Sequence, residues 1–311
     1  MSSMAIDVQV CTHDLHVAPV AHAIGEFSNL YQANLRISKE NYLHVVVKEL
    51  RGYRSTLDEV AVKEYTKIVN TVATQWCSFS HPNVMECYGL LSLNWRMGLI
   101  LPSCGSNVLQ YVQGNPTSDR LRLSQQIASA VAHLHSRKVI HTDIRPVNIL
   151  MHNGTPLLMD AGLGAFHDRT DFTRAHASRR YRWSAPELYD PREVGVEHEA
   201  SPEPAVDVQA TDEENPPYTL GSDVYALGMT IFTILSGTLP FPHIRHDYHA
   251  LTYVLNGERP QRPVSPSVSD VIWEIVEISW HRRPDMRPTA EMVEKIFGQE
   301  NTRQSIIGIS A

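Results

Sequence analysis

Two periods of apolar residues divide this chain. Between Phe27 and Leu35 apolar and polar positions alternate, and Tyr42 to Val47 is apolar and β-branched, ending on Lys48. Both stretches read as strands. Leu57, Ala61, Tyr65, Ile68, Val72 and Trp76 then recur in steps of four and three, which makes one face of a helix running to Cys77. His81-Pro82-Asn83 stops that helix, because a residue before proline avoids the helical region. Short strands follow near Met85 to Leu91 and Met97 to Leu101. A second amphipathic helix runs from Leu123 to His135 on Leu123, Ile127, Val131 and Leu134. The apolar run Val224 to Leu235 is too short to span a bilayer and reads as a buried helix, with helical text continuing to Phe297. A strand-rich portion with one helix therefore precedes a helix-rich portion, an α+β arrangement without internal repeats. Residues 1–18 and 299–311 are expected to be tails.

Composition adds bounds rather than detail. With 311 residues, 42% of them hydrophobic and 20% charged, the chain can bury a sizeable core as a soluble globular protein. A formal charge of −7 gives no global basic field for nucleic acid or a membrane surface. The acidic excess is local: Glu193 to Glu214 has no Lys or Arg, inside a Pro-rich tract over 191–217. Cys11, Cys77, Cys87 and Cys104 stand apart with no C-x-x-C pair, as expected of reduced thiols in the cytoplasm or nucleus. The opening residues lack a basic region followed by an apolar core, so no signal peptide is expected there. His243, His246 and His249 have no acidic or Cys partner at ligand spacing, so no metal site is expected.

The chemistry concentrates in Val139-Ile140-His141-Thr142-Asp143-Ile144-Arg145-Pro146-Val147-Asn148-Ile149-Leu150. Asp143 is followed two residues later by Arg145 and five later by Asn148, inside apolar flanks. A carboxylate can accept a hydroxyl proton, a guanidinium can neutralise phosphate charge, and an amide oxygen can hold a hard cation. Those are parts that phosphoryl transfer needs. The stretch resembles the catalytic loop of eukaryotic protein kinases, H-R-D-L-K-P-x-N, with Thr142, Ile144 and Arg145 at the Arg, Leu and Lys positions.

Further marks of that family follow in order. Val45-Val46-Val47-Lys48 matches V-A-I-K, and Asp160-Ala161-Gly162 sits where the family has D-F-G. Ala185-Pro186-Glu187 matches A-P-E, Asp223-Val224-Tyr225-Ala226-Leu227-Gly228 resembles the opening of the central helix, and Trp280 with Arg287-Pro288 matches the family's ending. The marks most resemble the tyrosine-kinase-like serine/threonine group, in a fungal style. The resemblance implies a bilobal fold: an N-lobe over 19–101, a hinge at 102–105, and a C-lobe over 106–298. It also implies ATP and Mg²⁺ as cofactors, a protein substrate with Ser or Thr acceptors, and a buried Glu187–Arg287 ion pair. By the same resemblance Lys48 holds the α/β-phosphates, Asp143 accepts the hydroxyl proton, Arg145 stabilises the transferring phosphoryl, and Asn148 and Asp160 hold metal. Gly25, Leu30, Val46, Leu101, Cys104 and Leu150 would surround the nucleotide.

Departures from the pattern give a rival expectation, a pseudokinase scaffold that binds partners and transfers nothing. The glycine-rich loop keeps only Gly25. Val72 stands where a helix Glu should pair with Lys48; Glu64 lies about two turns away and cannot replace it without a register change, and Gln75 could give only a neutral hydrogen bond. Ala161 replaces a Phe, a gap that the Trp76 indole is expected to fill. Val46 narrows the adenine slot, Thr142 replaces an Arg that reads a phosphorylated loop, and Arg180 takes a Ser/Thr position. Arg174, Arg179, Arg180 and Arg182 make the segment before Glu187 basic; this and the acidic tract read as two solvated charge runs, or as a tract that folds back on the basic segment as an intramolecular blocker.

Overall fold

The computed structural model describes residues 14–24, 28–50, 67, 70–93, 96–163, 180–189, 218–264 and 267–309. Gly25, Glu64, Arg174, Arg179 and the acidic tract over 191–217 lie outside the described residues. The chain divides into two compact units. Among the described residues the first comprises 14–106 and 149–163, and the second 107–148 with everything from 180 onward.

The first unit is built on an antiparallel sheet of β1 (Leu15–Val17), β2 (Ala23–Ile24), β3 (Ser28–Arg36), β4 (Tyr42–Leu50), β5 (Gly89–Leu93) and β6 (Arg96–Pro102). The order is β1-β3-β4-β6-β5, with β2 also on β3. Strand alternation decides which side chains go inside. Ala33, Leu35, Val45, Val47, Leu91 and Ile100 join Leu15 in one core cluster, against which Tyr31, Leu43 and Tyr88 pack. Val47 and Ile100 are completely enclosed, and burial of that kind stabilises by about 1.5–3 kcal/mol per side chain. Gly98 is required here, since a Cβ on it would meet Val47 Cγ1 at 2.9 Å.

The opposite face of the same strands carries a different set. Leu30 lies across from Lys48, and Val46 lies across from Leu101. A helix follows, α1, whose described part covers 70–77. Its Ala73 and Trp76 are buried, and Trp76 Nε1 donates to Met85 O at 2.7 Å. A hairpin of β7 (Ile149–His152) and β8 (Thr155–Leu158) completes the unit. Asn153 and Gly154, at φ of 50° and 78°, supply the left-handed pair that a tight two-residue hairpin turn demands.

The second unit is helical: α2 (Val108–Gly114), α3 (Arg120–Ser136), α4 (Leu220–Ser236), α5 (Asp247–Leu255), α6 (Asp270–Ser279) and α7 (Ala290–Ile309). α4 is the run Val224 to Leu235 foreseen as buried, and every residue of it is. Thr219 and Ser222 form a capping box at its start, and Gly237 at φ 74° ends it. α3 packs on α4 and α7, and α6 on α4 and α7. Among the described residues no helix is long and apolar enough to cross a membrane.

Several boundaries differ from the expectations. Leu15–Val17 pair with Leu35–Ala33, so the tail over 1–18 contains an edge strand too short to show a period. The strand expected from Met85 begins at Gly89, because Val84 and Met85 instead bond to Leu158. α7 continues through the expected tail to Ile309. There Glu300 is buried and Asn301 Nδ2 donates to Gln125 Oε1 at 2.6 Å, polar anchoring that apolar periodicity does not register. Residues 149–163, expected in the helical lobe, belong to the first unit.

Candidate active site

In the first unit, Lys48 sits on β4 with only 6% of its surface exposed. A charge so enclosed needs a counter-charge. The neighbouring Glu49 cannot supply it, for strand alternation points it to the other face, where it accepts from Asn29 Nδ2 at 2.9 Å and Tyr31 OH at 3.1 Å. The described part of α1 does not supply it either. Val72 is half-buried, with Cγ1 3.6 Å from the point where a side-chain carbon on Gly162 would lie, and Gln75 is exposed. Lys48 Nζ instead ion-pairs with Asp160 Oδ2.

Asp160 is held in an unusual backbone state. Its φ of 68° is left-handed, and Gly162 follows at 78°. The turn is tied down by Leu163 N donating to Asp160 O at 3.1 Å. Just upstream, Asn83 Nδ2 donates to Pro156 O, Leu158 N to Asn83 O and Met85 N to Leu158 O. Oδ1 of Asp160 is buried with no hydrogen-bond partner among the described residues. A buried carboxylate oxygen left over beside an ion pair is what an oxygen-seeking cation would take.

The remaining first-unit candidates are also placed. Leu30 and Val46 are half-buried, Leu101 is buried, and all three share the Lys48 face. Cys104 follows β6 half-buried, where burial pushes its thiol up to about 11, so it is neutral. Leu150 lies half-buried on β7 opposite Leu157. Trp76 is fully enclosed, and its indole bond to Met85 O fixes it one helical turn from Val72, which faces the Asp160–Gly162 turn.

The second unit assembles the other group. Asn148 ends a short 3₁₀ turn, Pro146–Asn148, and its Nδ2 donates to both Asp143 O and Asp143 Oδ2 at 2.8 Å. Arg145 Nε donates to the same Oδ2 at 3.2 Å, and Asp143 N donates to His141 Nδ1 at 3.2 Å. Burial by itself would raise the Asp143 carboxyl. The Arg145 and Arg180 guanidinia, the Asn148 amide and His141 outweigh it and hold the group below its ordinary value. Asp143 is therefore an ionised acceptor at neutral pH.

Thr142, expected only as a replacement for an Arg, and Asp223, expected only as part of a helix opening, complete this loop. Thr142 has φ 74°, a strained state for a β-branched residue. Asp223, buried at the start of α4, accepts from His141 N at 2.6 Å, from Thr142 N at 2.9 Å and contacts His135 Nε2 at 3.0 Å. Its motif had been read as a helix opening; its work is to hold the loop in that strained shape. Arg182, expected in a basic surface, is 2% exposed. It ion-pairs with Asp247 and donates to Pro240 O, Phe241 O and Ile244 O at 2.6–2.9 Å. Arg180 is buried as well, so neither contributes an exposed charge.

The implied pair is present: Arg287 meets Glu187 through two bonds of 2.6 and 2.8 Å. Tyr225 of α4 lies under both Arg287 and Arg259, at 5.1 and 5.3 Å from its ring centre.

Comparison with known proteins agrees with this geometry. The profile of protein tyrosine and serine/threonine kinases matches residues 22–297. The chain is 27% identical over 278 residues to the serine/threonine-protein kinase PrkC of Bacillus subtilis, covering 87% of this chain and 38% of the relative. It is 27% identical over 226 residues to the serine/threonine-protein kinase PkaA of Streptomyces coelicolor, covering 68% and 36%. It is 23% identical over 261 residues to the putative mitogen-activated protein kinase kinase kinase 7-like of Drosophila melanogaster, covering 78% and 60%. The chain thus spans less than two thirds of each of these relatives. A match that takes in both units, with the loop, ion pair and helix opening in the positions described, means that this chain belongs to the protein kinase family and has its α+β, bilobal fold.

Proposed function

We propose that the chain is an ATP- and Mg²⁺-dependent protein kinase that transfers the γ-phosphoryl group to Ser or Thr of a protein substrate, at a low rate. The observation that carries this reading is Asp143, a carboxylate kept ionised inside a fixed network of Arg145, Arg180 and Asn148. A scaffold has no use for a depressed acceptor; a transferase needs one to orient the hydroxyl and take its proton. In each unit taken by itself there is a donor suited to a hard cation: Asp160 Oδ1 in the first, buried with no hydrogen-bond partner among the described residues, and the Asn148 amide oxygen in the second. Bound Mg²⁺ would neutralise charge on the phosphates. Lys48 binds the α/β-phosphates, and Arg145 supports the transferring group. The apolar positions Leu30, Val46, Leu101 and Leu150, with Gly25 and the Cys104 amide, enclose the nucleotide. The isolated cysteines support a reducing compartment, cytoplasmic or nuclear.

The low rate follows from Lys48. With Val72 on α1, its charge is balanced by the same Asp160 that would hold the cation, so the two compete for one carboxylate. That pairing favours the second reading, a partner-binding pseudokinase. The deciding test joins a metal-dependent thermal shift with ATP to phosphate incorporation. Transferase activity predicts that Asp143→Asn keeps the shift and lowers incorporation by about 10²–10⁴-fold. Nucleotide binding with incorporation indifferent to Asp143 would leave the scaffold reading standing.

A further inference from the structure

The second unit holds a cavity of about 440 Å³ beside the end of α4 and the chain that leaves α5. Its size falls within the roughly 300–1,000 Å³ typical of small-molecule sites. Phe232 of α4 and Phe241 of the α4–α5 connection supply its buried apolar lining. Each ring is backed by another: Phe232 by Trp280, with centres 6.1 Å apart, and Phe241 by Tyr253 at 5.9 Å. Pro242, Pro260 and Pro263 add stiff backbone to the walls. Phe241 stands at φ 53°, a costly state for an aromatic residue. It is held there by Arg182 Nη1 and Ile244 N, which donate to its carbonyl at 2.9 and 3.0 Å. The shape of the cavity is therefore set by the fold and does not wait for an occupant.

Arg259 lines the same cavity, half-buried. Its Nε donates to Trp280 O at 3.0 Å, and its Nη1 to Val254 O at 3.2 Å and Glu258 O at 2.8 Å. The Tyr225 ring lies 5.3 Å from its guanidinium carbon. All of these partners are neutral. Among the described residues no carboxylate reaches Arg259, that of Glu258 included, and Nη2 makes no hydrogen bond and is not sealed off. Arg182 and Arg287 of the same unit, by contrast, each meet a carboxylate, Asp247 and Glu187. A cation held rigid by carbonyls, partly desolvated and without a counter-charge, is prepared for an anion. One unbonded nitrogen suits one carboxylate oxygen. A phosphate dianion asks for more donors, and the exposed Glu258 that also lines the cavity repels a second negative charge.

We propose that this cavity binds a small amphiphilic monocarboxylate, with the carboxylate on Arg259 Nη2 and an apolar body of ring size against Phe232 and Phe241. Burial of the apolar body supplies the attraction, and the charge selects acids over neutral compounds of the same shape. None of the lining residues belongs to the Asp143 network, so the inference stands whether or not the chain transfers phosphate.

The test titrates the full chain with phenylbutyrate, with phenylbutanol, which lacks the charge, and with phenyl phosphate, reading binding by ligand-observed NMR. Phenylbutyrate is expected to saturate in the millimolar range or below, and phenylbutanol to bind about tenfold more weakly or worse. Phenyl phosphate should bind less tightly than the acid. Arg259→Gln should bring the acid down to the affinity of the alcohol and leave the alcohol's own affinity unchanged, which also shows that the variant is folded. If Arg259→Gln binds neither compound, Thr238→Phe decides. Thr238 is an exposed lining residue whose hydroxyl bonds only to Ser236 Oγ, so this change fills the cavity and keeps every Arg259 bond. It should remove binding of acid and alcohol alike. Equal binding of acid and alcohol to the wild type, tighter binding of phenyl phosphate, undiminished binding of the acid to Thr238→Phe, or no saturation by the acid at tens of millimolar overturns the proposal.

Discussion

Each unit of this protein buries an ion pair of the kinase pattern between residues far apart in sequence, and these two pairs are finished differently. In the second unit both oxygens of Glu187 accept from Arg287. The other Arg287 donors go to His281 O at 2.8 Å, Gly221 O at 2.9 Å and Arg282 O at 3.1 Å. In the first unit Lys48 takes one oxygen of Asp160, and the other has no partner among the described residues. Both pairs are almost wholly enclosed. A closed network holds a fold together, while an open one is completed by something that arrives. Satisfaction of the last lone pair, rather than burial or charge, separates the structural pair from the chemical one.

Breaking the closed pair should have the largest effect. Glu187→Ala strands a guanidinium among carbonyls and is expected to cost about 3–5 kcal/mol of stability, read from urea unfolding. Magnesium should not restore any of it. Lys48→Met strands Asp160 in the same way, with a comparable or smaller loss. Here millimolar Mg²⁺ should recover a large part, because a cation can replace the missing ammonium at Asp160. Equal indifference of both variants to Mg²⁺ would abolish the distinction between the pairs.

The sequence showed the closed pair more fully than the open one. Glu187 and Arg287 sit in motifs whose resemblance specifies the partner, and the coordinates differ from the expectation in nothing. Lys48 was legible as a buried lysine in want of an anion, but its partner was not. Val72 announced which carboxylate was missing, and only the fold could show that Asp160 takes its place. Asp143, Arg145 and Asn148 were legible because a loop brings near neighbours in sequence together. Asp223 and Arg182 were not, since each acts on backbone atoms distant in sequence, and backbone partners leave no trace in residue types. Strand and helix periods gave most element cores, with errors at Leu15–Val17 and beyond Phe297, where elements are held by polar pairing.

A gain of function sharpens the comparison in the other direction. Val72→Glu places a carboxylate on α1, where Val72 already faces the Asp160–Gly162 turn. That carboxylate should draw Lys48 away from Asp160 and leave both Asp160 oxygens for the cation. A misplacement of about 1 Å can cost on the order of 10²-fold, so a gain of about tenfold in incorporation rate is the expected outcome. Unchanged incorporation, with the variant folded and binding nucleotide, would mean that the Lys48–Asp160 pairing does not limit the reaction.

The smallest effect concerns Arg180 and separates charge from packing. Asp143 has a folded-state carboxyl below its ordinary value, so it contributes stability above the unfolded value of about 3.9 and loses it as pH falls through the folded one. Arg180→Met keeps bulk but removes one of the two guanidinia responsible. The carboxyl then rises toward its ordinary value, and the variant forfeits part of that contribution at neutral pH. Once pH has fallen through the folded values Asp143 is protonated in both proteins, and the forfeited part no longer distinguishes them. The gap in urea midpoint between wild type and Arg180→Met should therefore narrow as pH falls below the unfolded value of about 3.9 and on through the folded one. Arginine stays charged throughout this range, so a packing loss alone would leave the gap constant. A constant gap would place Arg180 with Arg182, as an anchor of the chain rather than a keeper of the Asp143 charge.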